Sequence, residues 1–251
     1  PHSTEIEGFA TDMSVNAGER IDFKINVNGG AGSEYLVEVF RLGYYGGSGA
    51  REVAEWTNSN ATVQPDALVD ASRGLVDAGN WSVTDSWEVP ADAVSGVYLV
   101  RLQRLDSNGN PIEGAVNQIP FVVRNDGETH DIVLQTSDTT WQAYNAWGGN
   151  NGVVGANLYG DANDSINWDP IPGAGAHSQD RAYAVSYNRP FITRDGTGPV
   201  SGGQDYLFGA DYAAIFWLEK QGYDVSYISG VDTDRLGADY LTNYKSFISV
   251  G

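Results

Sequence analysis

The stretch VRNDGETHDIVLQTSDTTWQAYNAWGG, Val123 to Gly149, decides how the chain divides. Its first part, VRNDGETHD, is polar and rich in turn formers, and reads as a joint. DIVLQ follows, a short continuous apolar run of the kind buried on both faces of a parallel sheet. TSDTTWQAYNAWGG then gathers Asp138, Trp141, Gln142, Tyr144, Asn145 and Trp147 within ten positions, with no His and no Cys. Open parallel sheets bind ligands beyond the carboxyl ends of their strands, which is where this segment stands.

Upstream of the joint, residues 1–126 read as all-β. ERIDFKINV alternates Ile21, Phe23, Ile25 and Val27 with polar neighbours, the period-2 mark of a half-buried strand. EYLVEVFRL, WSVTDSWEV, GVYLVRLQRL and NQIPFVVRN continue the pattern between the turn clusters VNGGAGS, GYYGGSGA, DASRG, PADAVSG and DSNGNPIEG. About seven short strands at this spacing predict an antiparallel, immunoglobulin-like or fibronectin-like sandwich. GYYGGSGA has neither the Rossmann nor the P-loop pattern and reads as a hairpin, with Tyr44 and Tyr45 available to pack on the second domain.

Downstream, residues 127–251 read as α/β. DYAAIFWLEKQG repeats Tyr212, Ile215, Phe216 and Glu219 at helical spacing, and Gly222 is placed to end the helix. DVSYIS is the next strand, TDRLGADYLTNY a second helix with Asp232 or Asp234 as its cap, and KSFISV a third strand. Residues 145–204 form a long irregular region, in which RAYAVSYNRPF alternates like a short strand. YGDANDSINWD and GVDTDRLGAD resemble Ca²⁺ loops only loosely and lack the EF-hand spacing. One residue follows KSFISV, whereas a complete α/β domain usually has more strands, so the domain is expected to be incomplete.

Composition narrows the function classes. A formal charge of −19, from 14 basic and 33 acidic residues, speaks against phosphate-backbone binding and anionic membrane surfaces. No apolar run approaches the roughly 18 to 20 residues of a membrane span. Pro1 is not a start residue, and an acidic, Lys-poor surface suits an exported protein, so an extracellular or cell-surface location is expected. The absence of Cys excludes disulfides and thiolate chemistry. With three histidines, a Ser–His–Asp triad would need His130 or His177, and no G-x-S-x-G elbow supports one.

TSDTTWQAYNAWGG, RAYAVSYNRPFITRDG, FWLEKQGYDVSYISGVDTDR and KSFISVG, in this order, resemble the C-terminal catalytic region of the N,N-dimethylformamidase large-subunit family. IEGFATDMSVNAGERIDFKI, RLGYYGGSGAR, GLVDAGNWSV and VPADAVSGVYLVRL resemble the sandwich domain that precedes it in secreted bacterial relatives. The resemblance implies a class I glutamine-amidotransferase-like α/β fold that hydrolyses a small amide at a mononuclear iron. It implies Tyr144 in WQAYN and Tyr187 in SYNRPF as iron ligands, with a third ligand, a glutamate, in a motif that follows Gly251. It also implies cysteines at the places held here by Ala67 and Ala78.

Two phenolates and a carboxylate would suit Fe(III), a hard ion that prefers oxygen ligands, and would explain a catalytic segment without His or Cys. Asp138, Gln142, Asn145 and Asn188 are then candidates to orient the water or the substrate. Taken without the resemblance, Tyr144 and Tyr187 read as packing or rim aromatics, in a chain with 14 Tyr, 8 Phe and 7 Trp. Two other functions stay open. One is glycan binding on a platform of Trp141, Trp147 and Trp168. The other is homo-oligomeric assembly through the sandwich or an open sheet edge.

Overall fold

The computed structural model describes residues 3–30, 32–145, 147–148, 157–159, 181–191 and 206–250. The strands of the first half are β1 (Ile6–Ala10), β2 (Ser14–Asn16), β3 (Arg20–Val27), β4 (Tyr35–Leu42), β5 (Ala50–Asn58), β6 (Leu68–Asp70), β7 (Leu75–Asp77), β8 (Asp85–Glu88), β9 (Gly96–Leu105) and β10 (Pro111–Arg124). They form a three-stranded sheet, β1-β3-β8, and a five-stranded sheet, β2-β10-β9-β4-β5, with β6 and β7 as a separate hairpin.

The alternation read from the sequence faces inward. Ile21, Phe23, Ile25 and Val27 of β3 meet Val37 and Val39 of β4, Val100 and Leu102 of β9, and Ile119 and Phe121 of β10 in one core shared by both sheets. Full burial of side chains this size is worth about 1.5–3 kcal/mol each. The first half is therefore all-β, as expected, with two differences. There are ten strands among the described residues, because β2, β6 and β7 have three residues each, too few to leave a period-2 signal. β2 also pairs parallel to β10, at Val122 to Arg124, where antiparallel pairing was expected throughout.

The second half contains β11 (Ile132–Gln135), α1 (Asp138–Tyr144), α2 (Tyr206–Gly209), α3 (Asp211–Lys220), β12 (Val225–Ile228), α4 (Gly230–Leu241) and β13 (Ser246–Ser249). The three strands run parallel in the order β12-β11-β13, and Val133 and Leu134 of central β11 are fully buried. Three local readings change. TSDTTWQAYNAWGG begins with a helix, α1, although Thr139 and Thr140 favour other conformations. Residues 181–191 form no strand. Their backbone is held from outside instead, with Ala182 N donating to Asn157 O and Tyr183 N to Arg73 O, each at 2.7 Å. The cap of α4 is Ser229, in a capping box whose N3 residue is Asp232, so Asp232 bonds back to the cap and is not the cap itself.

The joint between the halves is apolar beneath its polar sequence. Leu42, Val97 and Val122 share a cluster with Leu134, Trp141, Phe191, Tyr206, Leu207, Ile215, Leu218 and Tyr227. Tyr44 does pack across it, edge-on to Phe216 with ring centroids 5.2 Å apart. Ala67 and Ala78 lie together in a small cluster with Phe9, Trp81 and Trp147.

Candidate active site

The carboxyl ends of β11 and β12 meet at Asp138, which is fully buried. Asp138 opens α1, and Gly230 opens α4 after β12. Asp138 Oδ1 accepts from the Gly230 N–H at 2.6 Å and from Thr136 Oγ1 at 2.8 Å. Its Oδ2 accepts from the Tyr187 hydroxyl at 2.7 Å. The carboxylate thus lies against two helix N-termini, where exposed N–H groups and the helix dipoles favour negative charge.

Burial raises the Asp138 carboxyl above its ordinary value, opposed by the bonds from Gly230, Tyr187 and Thr136. Burial, followed by the Asp138 charge and its hydrogen bond, pushes the Tyr187 phenol well above its own. At neutral pH Tyr187 is accordingly a neutral phenol, and only a nearby cation would convert it to a phenolate.

A second buried acid fixes α1 in place. Asp211, at the start of α3, accepts from Ser137 N at 2.9 Å, Ser137 Oγ at 3.0 Å and Trp141 Nε1 at 2.8 Å. Burial chiefly pushes Asp211 up to about 6, with the Asp138 charge acting in the same sense. Trp141 packs edge-on to Tyr206, whose ring stacks on Phe191 at 4.8 Å. These close-packed aromatics back α1, the helix that carries Asp138.

Tyr187 is carried by a segment braced on two sides. On one side, buried Arg189 donates through Nη2 to Gln142 O at 3.1 Å and through Nη1 to Asn145 O at 3.2 Å. Burial lowers its guanidinium to about 10, opposed by the Asp77 charge. Asn145 Nδ2 donates to Pro190 O at 2.9 Å, and Gln142 Oε1 lies 3.4 Å from Arg189 Nη2. On the other side Asn188 lies against Asp77 of β7, its Nδ2 3.4 Å from each carboxylate oxygen.

Tyr144 stacks on Tyr159 with centroids 4.1 Å apart, and burial, reinforced by the Tyr159 hydroxyl, pushes its phenol up to about 12. Of the residues singled out from sequence, Asp138 and Tyr187 are in direct contact. Gln142, Asn145 and Asn188 surround the Tyr187 segment, and Tyr144 ends α1. Sequence reasoning missed Asp77, Arg189, Asp211 and Gly230. Arg189 left one signal, a lone basic residue within SYNRPF of an acidic chain.

The other candidates fall elsewhere. Trp141 is fully buried with its Nε1 on Asp211, and Trp147 is half-buried with its Nε1 on Glu7 at 2.7 Å. These two do not form an exposed stacking platform. Trp168, His177 and most of YGDANDSINWD lie outside the described residues. His130 pairs with Asp224 at 2.7 Å near the amino ends of β11 and β12, opposite Asp138. Among the described residues, Glu38, Glu52 and Glu55 alone bring three acidic or imidazole ligand atoms within 4.8 Å. They stand on β4 and β5 of the first half, and Glu38 is already paired with Arg101. No helix among the described residues is long and apolar enough to cross a membrane.

Residues 36–251 match the family model described as N,N-dimethylformamidase beta subunit-like, C-terminal. A search of curated proteins finds no match. Among solved structures, a family 76 glycoside hydrolase from a bovine Bacteroides thetaiotaomicron strain is similar over 47% of this chain and 20% of its own length. Identity there is 11% and the TM-score 0.24, too slight a likeness to bear on fold or function.

Proposed function

The chain belongs to the N,N-dimethylformamidase beta subunit-like family, and from that premise we propose that it serves hydrolysis of small linear amides, in an exported protein. The observation that carries this reading is the Tyr187–Asp138 pair at the carboxyl edge of a parallel sheet, the place where such sheets bind ligands. In this reading the two-sheet unit is immunoglobulin-like, and the parallel unit is of the class I glutamine-amidotransferase-like kind.

The donor chemistry fits a hard, highly charged cation: phenol and carboxylate oxygens, with no thiolate or imidazole in contact among the described residues. Tyr144 and Tyr187 would hold one iron, together with the glutamate that the resemblance implies as the third ligand. Iron bound there would supply Lewis-acid polarisation of the amide carbonyl and a water of lowered pKa.

The chain's own residues do the positioning. Asp138 orients the Tyr187 hydroxyl. Arg189 and Asn145 hold the backbone that carries it against α1. Gln142 and Asn188 complete the brace on either side. Trp141, Phe191 and Tyr206 exclude water from behind Asp138.

The test is metal analysis and N,N-dimethylformamide turnover on the full-length protein purified from its source. The expected result is about one iron per chain with measurable hydrolysis. A folded full-length protein with neither iron nor turnover would overturn the reading.

A further inference from the structure

We infer that Asp77 of the β6–β7 hairpin is a positioning residue for Tyr187, so that this hairpin forms one wall of the site. The inference rests on the reading of Tyr187 as a site residue. Asp77 ends β7, in the first half of the chain. Its Oδ2 accepts from Ser186 Oγ at 2.7 Å, immediately before Tyr187. The same Ser186 oxygen accepts from Asn188 N at 2.9 Å, immediately after it. Asn188 O in turn accepts from Ala78 N at 2.8 Å. The residues flanking Tyr187 are thus held by Asp77 and its neighbour Ala78, and the direction of the Tyr187 ring follows.

Asp77 also shapes its own turn, since its Oδ1 accepts from Gly79 N at 2.6 Å. The approach there is close. A Cβ at Gly79 would stand 2.6 Å from Asp77 Oδ1 and 3.0 Å from Asn188 Nδ2. A second hold on the same hairpin is Tyr183 N donating to Arg73 O at 2.7 Å. Across the segment, Arg189 bonds to the carbonyls of Gln142 and Asn145 near the end of α1. Tyr187 therefore bridges the two halves, with its hydroxyl on Asp138 and its flanking residues Ser186 and Asn188 on Asp77 and Ala78. A carboxylate is suited to this place because its two oxygens serve Ser186 and Gly79 at once.

The experiment uses the full-length protein with Asp77→Ala and Asp77→Asn, measuring backbone amide exchange and N,N-dimethylformamide kinetics. Exchange at Ala78 and Asn188 is expected to rise about 10-fold or more in Asp77→Ala, while amides of β3 and β9 stay protected. With those strands protected the variant is folded, and kcat is expected to fall about 10- to 100-fold at unchanged KM. Asp77→Asn keeps one carbonyl acceptor for Ser186 and should fall between the two; it carries the same test where Asp77→Ala does not fold. Unchanged exchange at Ala78 and Asn188 overturns the inference, and so does raised exchange with wild-type kcat. An inactive wild-type protein overturns the amidase reading instead, and exchange alone then decides whether Asp77 positions the segment.

Discussion

Glu219 of α3 receives Arg41 of β4 at 2.8 Å, and the same carboxylate accepts from the Tyr227 hydroxyl and the Tyr44 N–H at 3.0 Å each. One acid thereby ties β4 and its hairpin to α3 and β12. The other described hydrogen-bond partners of Arg41 are uncharged, namely Ser95 O, Leu42 O and the Tyr45 hydroxyl. Glu219→Ala would leave a buried guanidinium without a counter-charge, at about 3–5 kcal/mol. Urea unfolding at pH 7 measures this. A loss below about 1 kcal/mol would mean the pair is screened like a surface bridge.

Tyr187→Phe separates chemistry from stability. The substitution removes one donor from Asp138 but leaves those from Gly230 and Thr136, so the expected loss of stability is about 1 kcal/mol. Amide hydrolysis is expected to fall about 100-fold or more, the scale seen when a precisely placed site oxygen or donor is lost. Steady-state kinetics beside a thermal melt reads both. Full turnover in Tyr187→Phe would remove Tyr187 from the site.

Much of the scaffold was legible because its signals are local. Ile21, Phe23, Ile25 and Val27 announce β3 by alternation, and Gly222 ends α3 as its left-handed φ of 77° allows. Asp138 and Tyr187 stood out by their motifs, but their contact spans 49 positions and no period encodes it. The rest was hidden for similar reasons. α1 is stabilised by Trp141 and Ser137 bonding to Asp211, 70 and 74 positions away, which outweighs the weak propensity of Thr139 and Thr140. RAYAVSY alternates like a strand, yet among the described residues its backbone donates to single carbonyls of other segments and meets no ladder. Nothing local in the sequence marks Asp77, because Ser186 lies 109 positions beyond it.

Asp211 should make stability fall as pH rises. Its folded value is about 6, against an ordinary 3.8, chiefly because it is buried. Between these two values the folded chain holds a proton that the unfolded chain has released. The contribution is therefore fully present below about pH 4, is lost as pH rises to about 6, and is flat above that. The span corresponds to about 3 kcal/mol. Asp211→Asn cannot titrate, so the stability of wild type relative to this variant should decline by that amount between pH 4 and 6.5. A constant difference across this range in urea titrations would show that the Ser137 and Trp141 bonds keep Asp211 ionised.

Asp232 carries the opposite sign. Burial alone would raise its carboxyl, but the bonds from Ser14 and Ser229, with the Arg124 charge, hold it below its ordinary 3.8. Its stabilisation is present above that value and is lost as pH falls through the depressed folded one. Asp232 pairs with Arg124 at 3.1 Å, both side chains almost wholly buried, and caps back to Ser229 N at 2.8 Å. Asp232→Asn should cost about 3 kcal/mol at pH 7, the lower end for a buried pair, because Arg124 keeps Asp126 at 3.0 Å. Arg41 has no such second carboxylate among the described residues, so Glu219→Ala should be the more damaging change. Unfolding of Asp232→Asn and wild type from pH 7 down to pH 3 should show the two converging below about pH 4. A gap that widens with acid would mean that the Arg124 charge, and not the loss of the Asp232 charge, governs this joint.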